Sequence, residues 1–286
     1  MSWGTADNLT LSVMTLRNAG LVERVRAAGI AGYQGIGWRL EDITNALQSG
    51  MTESDIVRLF SATKVKPIEI EFFRQWVGLE NDREYQDREF QLLEWAGKLR
   101  ARHINVAVFE DDSHDKIVAS LSGLCRRAYD KNLLVQLEFM PYNPSVNTLA
   151  KAWEIVRDTN QLNAGLLIDA WHWNRANCTS ESLHGIPPEK ITSIQISDDL
   201  AQPMTDVSEE SRHDRLVPGR GAIDLTEFLT TLEEYGVSAP LSVEVMSDEL
   251  DALEPAQAAL ETAVGARYVL WQYAGRTFIP NTNEQS

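Results

Sequence analysis

The sequence predicts a (β/α)₈ TIM barrel, and three observations carry that prediction. Short apolar runs alternate with longer segments of helical period along the chain. Eight such units follow one another without a long interruption, which favours a closed barrel over an open doubly wound sheet. The length, 286 residues, suits the roughly 250 that such a barrel needs. No Gly-x-Gly-x-x-Gly follows the first strand, so the fingerprint of a dinucleotide-binding fold is missing. The expected organisation is one domain over residues 1–275, then a polar tail over 276–286.

The apolar runs give the strands and the periodic segments give the helices. Leu9 to Met14 reads as the first strand, with a helix from Gly20 to Gly29. Tyr33 to Trp38 is the second, and its helix lies near Glu53 to Ala62. Lys66 to Phe72 is the third, followed by a long charged helix from about Arg83 to Leu99. His103 to Phe109 and a helix from Lys116 to Asp130 form the fourth unit. Leu133 to Glu138 and a helix from Thr148 to Thr159 form the fifth. Ala164 to Asp169 is the sixth strand, with a short helix near Ser180. Ile191 to Ile196 is the seventh; a long loop separates it from a helix at Leu225 to Tyr235. Leu241 to Val245 is the eighth, and a last helix runs from Pro255 to about Leu270.

Composition narrows the function. A net charge of −16 argues against a nucleic-acid partner, which demands clustered Lys and Arg, and disfavours anionic membranes. No apolar run approaches the ~18 residues of a membrane helix. The N-terminus, Met1 to Asp7, lacks a basic region followed by an apolar stretch. The two cysteines, Cys125 and Cys178, form no short pairing motif and read as free thiols of a cytoplasmic protein.

In such a barrel, function sits where strands end and βα loops begin. At their ends or one residue short of them, the fifth to eighth strands carry Glu138, Asp169, Gln195 and Glu244, four side-chain oxygen donors on neighbouring strands. Polar residues often mark a strand end only because the core stops there; the run of four is what points to a site. Three carboxylates brought together repel and resist ionisation, a conflict that a divalent cation resolves. Three carboxylates and an amide oxygen suit Mn²⁺ first, with Mg²⁺ or Co²⁺ as alternatives, better than Zn²⁺, which favours His and Cys. His172 lies just past Asp169, and Arg215 lies in the long loop after the seventh strand; both are candidates for substrate contact. Pro218-Gly-Arg-Gly221 makes a tight turn before Asp224, a helix N-cap. Among aromatics near strand ends, Trp38 and Tyr142 are candidate walls of the substrate pocket, with ordinary packing as the alternative.

The segments Leu-Glu138-Phe-Met-Pro, Leu-Ile-Asp169-Ala-Trp-His172, Ile-Gln195-Ile-Ser-Asp198, Arg215 to Asp224 and Ser-Val-Glu244-Val resemble the sugar phosphate isomerase/epimerase superfamily, the xylose isomerase-like barrels. The resemblance spans roughly Leu9 to Leu270 and is strongest from the fifth strand onward. It implies that Glu138, Asp169, Gln195 and Glu244 hold the metal and that His172 and Arg215 face the substrate. Gln195 stands where many sugar epimerases have His, which looks closer to the branch containing 3-dehydroshikimate dehydratases. Gly37 stands where the family often has a Glu on strand two. The implied activity is that of a metal-dependent isomerase or epimerase of a small polyhydroxylated carbonyl compound. Glu138 or Glu244 acts as base and the enediolate is stabilised by the metal, His172 and Arg215. Loss of a β-hydroxyl, a dehydratase outcome, shares the first step. A barrel subunit that needs a partner chain, or a homo-oligomer, is also left open.

Overall fold

A computed structural model describes residues 8–277 of the protein. Eight parallel strands close into a barrel in sequence order: β1 (Leu9–Leu11), β2 (Gly35–Trp38), β3 (Lys66–Ile70), β4 (His103–Val106), β5 (Leu134–Glu138), β6 (Ala164–Asp169), β7 (Ile191–Ile196) and β8 (Leu241–Val243). β8 pairs with β1 at Leu9–Leu241 and Leu11–Val243, which leaves no open edge.

β6 and β7 have their expected bounds, and several other strands are shorter than expected. The first ends early because Ser12 caps a 3₁₀ turn over Val13–Leu16, its Oγ accepting the Met14 amide at 3.1 Å. Helix α1 covers Leu21–Ala31, and an unanticipated helix, α2 (Leu40–Gln48), precedes α3 (Glu53–Thr63). Helices α4 (Arg83–Leu99), α5 (His114–Tyr129) and α6 (Leu149–Asp158) follow as expected within a few residues. After β6 the chain turns directly into α7 (Ala170–Arg175); the helix expected near Ser180 is a 3₁₀ turn, Ser180–Leu183. The long loop after β7 contains a short helix, α8 (Val207–His213), before α9 (Leu225–Glu234). A further short helix, α10 (Asp248–Asp251), leads into α11 (Pro255–Thr277), so the start of the expected tail is helical. Residues 278–286 lie outside the described range.

Side chains alternate across a strand, so register decides which residues face inward. The outward set, including Leu11, Ile36, Ile104, Leu137, Ile168 and Ile194, is buried between sheet and helices. Full burial of each such side chain contributes about 1.5–3 kcal/mol. α11 closes the helical ring against α1, where Tyr33 and Thr262 share a 3.0 Å hydroxyl contact. The inward set is unusually polar for a barrel interior, where branched apolar residues dominate. It runs through Thr10, Glu69, His103, Asn105, Gln136, Ser193 and Ser242, tied by the pairings Thr10–Ser242, Glu69–His103 and Asn105–Gln136. Gly35 and Gly37 also face inward, where an added Cβ would stand 2.4 Å from Thr10 Oγ1 and 2.8 Å from Glu71 Oε2. Among the described residues, no helix is long and apolar enough to cross a membrane. Both cysteines are free thiols, and burial pushes Cys125 up to about 12.

Candidate metal centre and active site

The same register gathers the four candidate ligands. Asp169 pairs with Gln195, Gln195 with Ser242, and Glu138 with Leu167. Glu138 and Asp169 therefore share the inward parity of Gln195, and Glu244, two residues past Ser242, continues it. All four are buried at the C-terminal end of the barrel.

Each is held differently. Asp169 is the N-cap of α7, its Oδ1 accepting the Trp171 and His172 amides at 2.6 and 3.2 Å. Its Oδ2 accepts Arg215 Nη1 at 2.7 Å. The same Nη1 donates to Glu244 Oε2 at 3.2 Å. Glu244 Oε1 accepts Ser12 Oγ at 3.2 Å and Gln195 Nε2 at 3.3 Å. Gln195 Oε1 and both oxygens of Glu138 are buried without a hydrogen-bond partner. His172 Nε2 lies 3.5 Å from Glu138 Oε1 and 3.4 Å from Arg215 Nη2, while its Nδ1 has no partner.

Arg215 is placed by the loop after β7. Antiparallel bridges Asp198–Leu216 and Asp214–Ser247 anchor that loop to the barrel rim. Asp198 also accepts the Gly219 and Ile223 amides, both at 2.9 Å, which organises the Pro-Gly-Arg-Gly turn. Arg215 Nε and Nη2 reach Ser211 O and Oγ at 2.9 and 3.1 Å, and the guanidinium stands over the Trp171 ring at 5.2 Å. Arg215 is thus buried against two proposed ligands as well as lining the cavity.

Electrostatics favour a cation here. Burial, with Glu244 and Asp169 adding to it, pushes Glu138 well above the ordinary carboxylate range. Burial raises Glu244 to about 8, partly offset by Arg215. Asp169 departs in the other direction: burial opposes its charge, but Arg215 and the His172 amide hold it low. Burial brings His172 down to about 3, so the imidazole is neutral. Unpartnered buried oxygens crowded with uncompensated carboxylates are the condition that a divalent cation relieves. The residues therefore fit a metal. Donor atoms of Glu138, Asp169 and His172 lie within 4.8 Å of one another, which puts His172 within reach of the shell and not only beside it.

A cavity of about 350 Å³ opens over the site, lined by Glu138, Tyr142, His172, Arg215 and Glu244, with Phe72, Arg74 and Phe109 also in its wall. Tyr142 donates to or accepts from Ser211 Oγ at 3.2 Å and packs edge-on to His172 at 5.7 Å. Trp38 corrects an expectation. It neighbours the inward Gly37, so it carries the opposite parity, is fully buried outside the barrel wall and does not line the cavity.

Glu71 went unread in the sequence. It lies one residue past β3, fully buried, where Gln195 Nε2 donates to its Oε1 at 2.9 Å. Its Oε2 accepts Ser12 Oγ at 2.7 Å and the Val13 amide at 2.8 Å. A carboxylate from strand three thus fills the space above Gly37, where the family often places an acid from strand two. The signal was present: Glu69-Ile-Glu71 in an apolar strand sets two acids on one face.

Comparison with known proteins bears on this geometry. The family model "Xylose isomerase-like TIM barrel" matches residues 22–265. A 3-dehydroshikimate dehydratase of Pseudomonas aeruginosa is 30% identical over 244 residues, covering 83% of this chain and 38% of that protein. The chain thus spans about two-fifths of the length of the dehydratases that it matches. An inosose isomerase of Bacillus subtilis is 34% identical over 161 residues, 55% of this chain and 57% of that protein. The solved structure of IolI protein with a bound zinc atom superposes with a TM-score of 0.82 at 24% identity, covering 93% of this chain and 99% of that one. With the closed barrel and the matched span taken together, the chain belongs to the xylose isomerase-like TIM barrel family.

Proposed function

We propose that the protein removes a proton next to the carbonyl of a small polyhydroxylated, sugar-like compound and acts as a metal-dependent isomerase or epimerase. The observation that carries this is the convergence of Glu138, Asp169, Gln195 and Glu244, with the oxygens of Glu138 and Gln195 unpartnered beside a neutral His172. Those four residues would hold the cation, with His172 close enough to join them. A divalent cation held there supplies Lewis-acid polarisation of the substrate carbonyl.

The chain's own groups divide the remaining work. Glu138, with no hydrogen-bond partner, is the freer base; Glu244 is restrained by Arg215, Ser12 and Gln195. Glu138 accepts the carbon-bound proton. Arg215 and His172 face the oxygen on which negative charge develops, and Tyr142 walls the pocket beside them. Return of the proton to the opposite face of the same carbon gives an epimer, and to the neighbouring carbon an isomer. The ion is proposed to be Mn²⁺, with Mg²⁺ or Co²⁺ as alternatives; the zinc of the IolI structure supports a divalent site and places Zn²⁺ in any metal series.

A second reading, elimination of a β-hydroxyl as in the dehydratase relatives, is favoured by Arg74. Four arginines line the cavity. Arg17, Arg212 and Arg215 have carboxylate partners, whereas among the described residues Arg74 has only the Phe109 ring, 5.2 Å away. A guanidinium without an internal counter-ion suits a substrate carboxylate, which dehydroshikimate carries and an inosose does not. The test is a metabolite panel with both compounds in deuterated water, with the purified single chain and Mn²⁺, read by NMR. Metal-dependent deuterium incorporation next to the carbonyl is expected, and a conjugated product marks elimination. No exchange and no turnover across the panel defeats the reading; activity only after addition of a second chain supports a partner-dependent subunit.

A further inference from the structure

Of the four proposed ligands one is neutral, Gln195, and an amide presents either its oxygen or its nitrogen. Only the oxygen binds a cation. Something must choose between the two faces.

The surroundings of the amide make that choice. One end of the Gln195 amide faces Glu71 Oε1 at 2.9 Å and Glu244 Oε1 at 3.3 Å. When Glu71 and Glu244 are ionised their oxygens accept and do not donate, so the NH₂ group belongs on that side and Oε1 on the other. Burial, with Glu69 adjacent, pushes Glu71 up as burial does Glu244, and a cation at the site draws both acids toward the ionised form. Oε1 is then left buried and unpartnered. Glu244 is itself a proposed ligand and is drawn toward Arg215, so its hold on the amide is the longer one. Glu71 is fixed by groups outside the ligand set, although Ser12 Oγ also approaches Glu244 Oε1 at 3.2 Å. The Val13 amide and Ser12 Oγ hold Glu71 Oε2 at 2.8 and 2.7 Å, and Asn105 Nδ2 approaches its Oε1 at 3.4 Å. Its position also depends on Gly37, since a Cβ there would stand 2.8 Å from both Glu71 Oε2 and the Val13 nitrogen.

We propose that Glu71 is a positioning residue: it fixes the Gln195 amide so that the amide oxygen is presented to the divalent cation. This rests on the metal reading of the site. It assigns a role to an acid of strand three and connects Gly37 on strand two with Gln195 on strand seven through a single carboxylate. Partners that orient a ligand in this way typically control metal affinity by 10–100-fold.

The test is Mn²⁺ binding to chelator-stripped full-length protein by isothermal titration calorimetry, with thermal melts as the check on folding. Glu71→Gln is expected to weaken Mn²⁺ about 10–100-fold, because two facing amides no longer dictate which end points where. Gln195→Ala should weaken it comparably. In the Gln195→Ala background, Glu71→Gln should then cost less than about twofold, since no amide remains to orient. In the Gln195→Glu background, where either end presents an oxygen, Glu71→Gln should likewise cost less than about twofold; this arm also covers the case where Glu71→Gln alone folds poorly. Unchanged affinity in Glu71→Gln, or an undiminished loss in the Gln195→Ala or Gln195→Glu background, overturns the proposal. Failure of the unmutated chain to bind Mn²⁺ defeats the metal reading itself, and is recognised before any variant is measured.

Discussion

Replacing Arg215 by Met tests whether the buried guanidinium and the proposed cation share one job. Arg215 Nη1 is the cationic partner of both Asp169, at 2.7 Å, and Glu244, at 3.2 Å. Both contacts are fully buried, so removal leaves uncompensated acid in a low-dielectric site. Breaking a buried pair in this way costs about 3–5 kcal/mol. Both pairs use the same nitrogen, so the cost is counted once. At roughly 2–3 °C per kcal/mol for a chain of this size, the melting temperature should fall by about 6–15 °C. Mn²⁺ bound to the same carboxylates supplies the missing charge, so saturating metal should shrink that gap by about half or more. The assay is circular-dichroism melting of wild type and variant, each with EDTA and with excess Mn²⁺. A gap under about 2 °C without metal, or one of equal size with and without it, refutes the shared role. Arg215→Lys should lose activity as well, because a single ammonium does not reproduce the fork that reaches Asp169, Glu244 and Ser211 together.

Glu138→Gln, Asp169→Asn and Glu244→Gln should each lose most metal and activity, measured by metal analysis and turnover; two of them retaining stoichiometric metal would show the site to be misassigned. His172→Asn should lower turnover about 10²–10⁴-fold and keep its metal. Metal loss in that variant would make His172 a ligand, as its closeness to Glu138 and Asp169 allows. Chelated protein should regain activity best with Mn²⁺, Co²⁺ or Mg²⁺ in a metal series; recovery by Zn²⁺ alone, or full activity without metal, sinks the all-oxygen shell. Away from the site, Arg24→Met should cost about 3–5 kcal/mol in chemical denaturation. Arg24 is fully buried in α1 and bonds Asp42 Oδ2 at 2.7 Å and Leu16 O at 3.2 Å. A stability within 1 kcal/mol of wild type would contradict that estimate.

The fold was legible because its signal is repeated: eight alternations of apolar run and helical segment leave few topologies. Two of the misplaced elements come from polar residues that compete for the backbone. Ser12 turns the expected end of the first strand into a 3₁₀ turn, and Asp169 caps a helix directly onto the end of the sixth strand. The four candidate ligands could be read because each stands at a strand end or one residue from it, but the way each is held could not. The Arg215 contacts to Asp169 and Glu244 span 46 and 29 residues, and no local pattern encodes them. Trp38 and Glu71 show the same rule from opposite sides. Both stand near strand ends, and only parity separates them: Trp38 lies out of phase with the interior and Glu71 in phase with it. Extending each strand's alternation one or two residues past its apolar run would have rejected the first and found the second. The register adds what alternation alone lacks, because it sets the Glu71 carboxylate over a glycine of β2 and against an amide of β7. The acid that strand two lacks is therefore supplied in space by strand three, and Gly37 is the vacancy that admits it.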